Sequence, residues 1–134
     1  MTSHPLDDFR ILSQLFYPRL AVPQQHPVGK WVDGKISVAQ GVNLCYRCYI
    51  HARDSPVILF FHGNGEIAPD YVSASRHYHE LAGASLLVVD YRGYGWSSGK
   101  PLASTMLPDA KAVFDQLPDV FENAGIDADV PIFR

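Results

Sequence analysis

Two short apolar segments, each followed directly by a glycine-rich turn, constrain the fold of this chain more than any other feature. The first is VILFF at residues 57–61, which enters HGNGE, and the second is ASLLVVD at residues 84–90, which enters YRGYG. Neither segment alternates apolar with polar residues, so both faces of each strand are expected to be covered, as in a buried parallel sheet. Helical spacing over residues 69–82, with Gly83 as the stop, joins the strands into a strand–helix–strand unit.

The rest of the chain extends this unit into an α/β domain. Residues 35–54 contain two β-forming segments joined near Gln40-Gly41, which predicts an antiparallel hairpin. Residues 104–117 have helical spacing, and residues 130–133 begin another strand. These elements predict a mostly parallel sheet covered by helices. The helix faces expected to be buried carry Tyr71, Ala74, Tyr78 and Leu81 in the first helix and Ala110, Val113, Phe114 and Leu117 in the second.

The N-terminal segment is expected to precede this domain. Residues 5–17 place apolar side chains on one helical stripe, and a Pro-rich and Gln-rich connection follows. The predicted organisation is therefore a helix with an irregular lead-in over residues 1–34, followed by a partial α/β domain over residues 35–134.

Composition argues against several classes of function. The chain of 134 residues is 47% hydrophobic and 19% charged, with a formal net charge of -3, which is ordinary for a globular domain. This charge favours neither nucleic acid nor an anionic membrane as a partner. No apolar run is long enough to cross a bilayer, and the N-terminus lacks the basic-then-apolar pattern of a secretory signal. We therefore expect a cytoplasmic protein.

The cysteines and histidines do not form a metal-binding pattern. Cys45 and Cys48 make a single C-x-x-C pair within a predicted strand, whereas a structural zinc site needs four ligands. Residues three apart on a strand point to opposite faces, so one thiol is expected to face the core and the other to point away, as unrelated reduced thiols. His77 and His79 lack the i, i+4 spacing of metal-binding helices. We expect no metal and no other cofactor.

Together, the two glycine-rich turns match one known pattern. A strand ending in His62-Gly63-Asn64-Gly65-Glu66, then a helix, then a strand ending in Asp90-Tyr91-Arg92-Gly93-Tyr94-Gly95 with Ser97 beyond it, resembles the α/β-hydrolase superfamily. Within that superfamily, the pattern is similar to the small hydrolases of the serine-aminopeptidase-like branch. The resemblance covers residues 35–134. It implies the N-terminal half of an α/β-hydrolase fold, a β-hairpin and then parallel strands with flanking helices, truncated at the fifth strand.

The resemblance implies roles for residues of both turns. In this family the turn after the third strand supplies half of the oxyanion hole, where fixed backbone N–H groups stabilise the negative oxygen of a tetrahedral intermediate. The implied oxyanion hole consists of Gly63, Asn64 and Gly65, with the N–H of Asn64 as donor. Loop-supporting roles fall to His62, Asp90, Arg92, Gly93 and Gly95. The alternative is a plain glycine turn between a strand and a helix.

Ser97 lies in a G-x-S-x-G match that starts at Gly95, the spacing of a serine-hydrolase nucleophile. A nucleophile elbow follows its strand directly and leads into a helix, whereas Ser97 comes seven residues after Asp90 and precedes Lys100-Pro101. The fold also requires a histidine after the serine, and the last histidine, His79, precedes Ser97. We therefore interpret Ser97 as a loop serine and expect no catalytic residue in this chain.

The same segment spaces Gly93, Gly95 and Gly99 in a way that hints at a dinucleotide site. Phosphate binding needs glycines that turn directly from a strand into a helix N-terminus. The Lys100-Pro101 sequence that follows argues against such a helix.

Two hypotheses about function follow. In the first, the chain is the N-terminal part of a serine hydrolase that attacks a small acyl substrate, an ester, thioester or amide, through an acyl-enzyme. The nucleophile, acid and histidine would then follow the fifth strand, so residues 1–134 alone are not expected to be active. In the second, the chain is a catalytically inactive fragment that binds a partner or associates with itself through an open apolar sheet edge.

Overall fold

Five strands form one sheet in the parts of the chain that the computed structural model describes, which are residues 7–8, 31–62 and 66–133. The strands are β1 (Trp31–Ala39), β2 (Val42–Tyr49), β3 (Val57–Phe61), β4 (Ser85–Val89) and β5 (Ile132–Phe133). Their order across the sheet is β1-β2-β4-β3-β5. Of the helix predicted over residues 5–17, only Asp7 and Asp8 are among the described residues.

The predicted hairpin is confirmed and extends further than expected. Strands β1 and β2 pair antiparallel from Trp31 opposite Tyr49 to Ala39 opposite Val42. Gly41 in the turn has φ +73°, a left-handed conformation that glycine adopts without steric cost. The hairpin begins at Trp31 rather than at Lys35. Residues 31–34 also pair with β2, although the pattern of their side chains did not predict a strand.

The sheet is mixed rather than mostly parallel. Strand β3 pairs parallel with β4 on one side and with β5 on the other, whereas β2 pairs antiparallel with both β1 and β4. Every residue of β4 is buried, so the prediction of a strand covered on both faces is confirmed. The predicted class, an α/β fold with a hairpin followed by parallel strands and flanking helices, is confirmed.

The first helix ends where the sequence predicts but buries a different set of side chains. A short 3₁₀ turn, Ala68–Tyr71, leads into α1 (Val72–Ala82), and Gly83 closes the helix at φ +59°. Tyr78 and Leu81 were expected to be buried, yet both are exposed, while Ser75 is buried. The expectation failed because α1 turns another face toward the sheet.

The helix predicted over residues 104–117 ends slightly earlier than expected, and a further helix that the sequence did not predict follows it. A 3₁₀ turn, Ala103–Thr105, precedes α2 (Met106–Asp115), and α3 (Leu117–Ala124) follows after a break at Gln116. Pro118 lies in the first turn of α3, where its missing N–H is tolerated but where it cannot continue α2. Phe114 was expected to be buried and is exposed. Among the described helices, none combines the length and apolar character needed to cross a membrane.

Apolar clusters fill both faces of the sheet. On the α2–α3 face, Val113 and Phe121 pack with side chains such as Leu87, and on the α1 face Leu86 and Val88 pack with Tyr49 and Ala68. The layers explain a correction for the cysteines: Cys45 and Cys48 are both completely buried. Their side chains take opposite faces, but neither face of β2 is open to solvent at these positions.

Candidate functional site

The carboxyl ends of β3 and β4 lie side by side, and this places two of the predicted site residues together. Phe61 and Val89 are partners in the parallel pairing, so the next residues, His62 and Asp90, meet directly beyond the strands. His62 Nε2 lies 2.6 Å from Asp90 Oδ1, and both side chains are fully buried. A buried carboxylate requires such partners, because its desolvation is otherwise costly.

The same carboxylate oxygen also holds the far side of the first glycine-rich turn. The backbone N–H of Ala68 donates to Asp90 Oδ1 at 2.8 Å, so this oxygen contacts residues that precede and follow residues 63–65. Gly63, Asn64 and Gly65, the predicted oxyanion-hole residues, lie outside the described residues. Both described flanks of that turn are therefore attached to one side chain.

Further hydrogen bonds fix the segment that follows the turn. The Tyr49 hydroxyl donates to the carbonyl of Ala68 at 2.6 Å, which ties the segment to β2. The Tyr71 hydroxyl donates to a carboxylate oxygen of Glu66 at 2.7 Å. These bonds use neighbours from the sheet and from the 3₁₀ turn, so the segment is held from two sides.

The second oxygen of Asp90 contacts β2 and the second glycine-rich turn. The Cys45 thiol donates to Asp90 Oδ2 at 3.1 Å. Burial, followed by the nearby charge of Asp90, raises the pKa of Cys45, so the thiol stays protonated as a donor. Gly95 has φ +57°, and a Cβ there would collide with Asp90 Oδ2. We name this set the Asp90 network: Asp90, His62, Cys45, Ala68 and Gly95.

Ser97 is used to hold the loop after β4. Its hydroxyl donates to the carbonyl of Asp90 at 3.0 Å and accepts the backbone N–H of Cys45 at 2.7 Å. The side chain is 8% exposed. The hydroxyl therefore joins β2 to the end of β4, and this geometry agrees with the interpretation of Ser97 as a loop serine.

Two predicted loop residues, Arg92 and Gly93, lie apart from the Asp90 network. Arg92 forms a two-pronged ion pair with Asp109 of α2, through Nε at 2.7 Å and Nη2 at 2.8 Å. This hydrogen bonding raises the pKa of Arg92. Gly93 has φ +78°, and a Cβ there would lie 3.0 Å from Cδ of Pro101. The loop then runs to Ala103 before a helical turn begins, so its glycines do not open a helix as a dinucleotide site requires.

Sequence reasoning missed Tyr91, which lies at the rim of the candidate site. Its hydroxyl donates to the carbonyl of His62 at 2.8 Å, and its ring packs edge-on against the imidazole at 4.7 Å. Burial raises the pKa of Tyr91. Its position between Asp90 and Arg92 in the motif could have identified Tyr91 as a residue of the site. Cys45, Ala68 and Asp109 had no such signal, because their partners are far away along the chain.

Among the described residues, the side chains of the candidate site hold the backbone in position. The described residues contain no group of three or more histidine, cysteine or acidic side chains that could hold a metal ion. A cavity of about 20 Å³ lies beside the Arg92–Asp109 ion pair, and its lining includes Phe61, Tyr91 and Met106. That volume holds about one water molecule. The Asp90 network can therefore fix a backbone turn.

Comparisons with known proteins identify relatives that are much longer than this chain. No protein-family model matches the chain. The multifunctional-autoprocessing repeats-in-toxin of Vibrio vulnificus is 38% identical over 66 residues, which is 49% of this chain and 1% of the toxin. The lysophosphatidylserine lipase ABHD12 of Xenopus tropicalis is 36% identical over 96 residues, 66% of this chain and 22% of the lipase.

Solved structures establish the fold. An esterase of Pyrococcus furiosus matches with a TM-score of 0.57 and 21% identity, over 83% of this chain and 44% of the esterase. A thermostable carboxylesterase cloned from a metagenomic library matches with a TM-score of 0.57 and 23% identity, over 78% of this chain and 35% of that enzyme. The chain has the fold of part of these α/β-hydrolase esterases, and it spans less than half of either.

Proposed function

We propose that this chain is the N-terminal part of a serine hydrolase of the serine-aminopeptidase-like branch. The complete enzyme cleaves an ester, thioester or amide through a covalent acyl-enzyme, and this part supplies the oxyanion-hole turn. The observation that carries the proposal is the attachment of both flanks of residues 63–65 to Asp90 Oδ1, at 2.6 Å from His62 and 2.8 Å from Ala68.

An oxyanion hole works because its N–H donors do not need to reorganise when negative charge develops. A turn with loose flanks loses that advantage. The buried His62–Asp90 contact and the Ala68 hydrogen bond fix the described flanks of the turn, and the Tyr91 hydroxyl adds a bond to the His62 carbonyl. The Asp90 network thus favours a catalytic turn over a plain connection between a strand and a helix.

In this proposal the nucleophile, acid and histidine belong to the remainder of a longer protein. The chain covers 44% of the Pyrococcus furiosus esterase, and Ser97 is already occupied in holding the loop to β2. A serine on a new G-x-S-x-G elbow, with an acid and a histidine after it, completes the acyl-transfer machinery.

The test begins with the source DNA beyond the codon for Arg134, read in all three frames, and with expression of the complete product. We expect a strand, a G-x-S-x-G serine and a later acid and histidine. That product should hydrolyse p-nitrophenyl esters and react with a fluorophosphonate at the new serine, whereas residues 1–134 alone should do neither. The Ser97→Ala variant should keep the label. Loss of the label in folded Ser97→Ala would contradict the proposal.

A second candidate function is self-association through the open side of the sheet. Apolar side chains there are exposed, Leu107 by 83% and Phe133 by 56%. A groove of about 290 Å³ lies between β3 and α2, and its lining includes Phe61, Leu107 and Phe114. Patches of this kind mark contact surfaces. Sedimentation velocity of residues 1–134 over a range of concentrations tests this candidate, and a monomer at all concentrations would contradict it.

A further inference from the structure

The helical turn that leads into α2 is bonded to a side chain from the N-terminal part of the chain. The backbone N–H of Ser104 donates to Asp7 Oδ1 at 3.1 Å, and the Ser104 hydroxyl donates to Asp7 Oδ2. The two residues are 97 positions apart in the chain. One carboxylate thus takes both a backbone and a side-chain hydrogen bond from the start of the helix.

This helix start has no cap from its own N-cap residue. The 3₁₀ turn Ala103–Thr105 continues into α2, and Leu102 precedes it as the N-cap residue. An N-cap side chain normally accepts the N–H of the second or third helical residue, and leucine has no oxygen with which to do so. Ser104 is the second residue of this helical run. Asp7 therefore replaces the missing cap, and its negative charge suits the positive end of the helix dipole.

The same end of α2 holds the second glycine-rich turn. Asp109 lies in the first turn of α2 and is 6% exposed. Its two oxygens accept hydrogen bonds from Arg92 at 2.7 and 2.8 Å. The next residue, Gly93, donates its N–H to the carbonyl of Ser98 at 3.2 Å, which closes the loop. Because Asp109 belongs to the helical run that Asp7 caps, fraying of that run displaces the carboxylate that binds Arg92.

We propose that Asp7 fastens the N-terminal segment to the domain as a strap that holds the start of α2 and, through Asp109, the loop that carries Arg92. The first N–H groups of a helix have no partner within the helix, so an attached carboxylate keeps the first turn closed. Release of Asp7 opens that turn and loosens the loop. The strap does not depend on the proposed hydrolase chemistry.

The test is amide hydrogen exchange of residues 1–134, followed by NMR, together with the melting temperature. Asp7→Ala should speed exchange of the Ser104 N–H about fivefold or more and that of the Gly93 N–H about twofold or more. The melting temperature should fall by about 2–6 °C. Asp7→Asn keeps an acceptor and should restore most of the protection, since asparagine caps helices about as well as aspartate.

Asp115→Ala is the matched control, because Asp115 is an exposed acid at the other end of the same helix. Its variant should exchange both N–H groups within about twofold of the unmodified chain. The Asp7 contact lies at the surface, so Asp7→Ala should fold. Unchanged exchange at Ser104 in Asp7→Ala, an equal increase in Asp115→Ala, or faster exchange at Ser104 with none at Gly93 would each overturn the proposal.

Discussion

The two sides of β3 differ in how completely they are covered. On the first side, β4 pairs with all five residues of β3, and the Asp90 network closes the ends with buried hydrogen bonds. On the second side, β5 pairs only with Val57 and Ile58 of β3, and Leu107 and Phe133 are exposed. A small set of buried polar groups fixes the closed end, whereas the open side is characterised by exposed apolar side chains.

This difference indicates where the molecule is sensitive to substitution. At the closed end each buried polar atom depends on a particular partner, so removal of one group leaves others unsatisfied. On the open side a side chain of high exposure contributes little burial, so its removal costs little. Substitutions in the two regions should therefore differ strongly in effect.

Replacement of the central carboxylate should have the largest effect. Asp90→Ala removes the partner of His62 and the acceptor for Ala68 and Cys45. We expect a loss of about 3–5 kcal/mol in the free energy of unfolding, measured by urea denaturation. Asp115→Ala, at an exposed acid of α2, should stay within about 0.5 kcal/mol. Equal effects of the two variants would remove the basis of the comparison.

Two glycines with the same backbone conformation provide the next test. Gly95→Ala puts a Cβ against Asp90 at φ +57°, whereas Gly41→Ala at φ +73° meets no atom within 4 Å. We expect a loss of about 2–5 kcal/mol for Gly95→Ala, from strain and overpacking together, and about 1–2 kcal/mol for Gly41→Ala from strain alone. Thermal or urea unfolding measures both. Equal losses would show that Gly95 does not closely contact Asp90.

The buried thiols should make the free energy of unfolding depend on pH. Burial raises the pKa of Cys48 to about 12 from an ordinary 9.0. The folded state then holds the proton more tightly than the unfolded chain. The stability from this thiol is therefore fully present below pH 9 and falls as pH rises from 9 toward 12.

We expect that loss to amount to about 1 kcal/mol per pH unit, measured by urea denaturation between pH 8 and pH 10. Cys48→Ala should make this part of the curve less steep, and the remaining slope should include the part from Cys45, whose pKa burial also raises. Neither thiol of the native chain should react with Ellman's reagent on mixing, while both should react in urea. Rapid labelling of the native chain would contradict the observed burial of both thiols.

The smallest effect is expected on the open side. Leu107→Ser changes a side chain that is 83% exposed, so the free energy of unfolding should move by no more than about 0.5 kcal/mol. Val113→Ala, on the buried face of the same helix, should cost about 1–3 kcal/mol. A loss of stability for Leu107→Ser as large as that for Val113→Ala would show that the groove is covered in solution.

Much of the fold was predictable because its signals are local. The apolar runs of β3 and β4 and the stop at Gly83 were all found from a few neighbouring residues. The exposure of Leu81 and the break at Gln116 were not. Which face of a helix is buried depends on the surface it meets, and the helix from Leu117 to Ala124 lay beyond the range that the sequence predicted as helical.

The candidate site was predictable only in part. His62, Asp90 and Gly95 are brought together by adjacent strands, as expected for motifs at neighbouring strand ends. Arg92 instead pairs with Asp109. A long side chain at the start of a loop can reach several elements, and its spacing in a motif does not show which one it contacts.

The amino-acid sequence was enough to predict the apolar strands, the glycine turns and the two motifs that follow the strands, because these depend on residues close together in the chain. That one carboxylate holds both flanks of a turn became visible in the folded structure alone. Cys45 and Ala68 lie 45 and 22 positions from Asp90. They meet it because β2 pairs with β4 and the 3₁₀ turn folds back on β4, and strand order is not encoded in spacing along the chain.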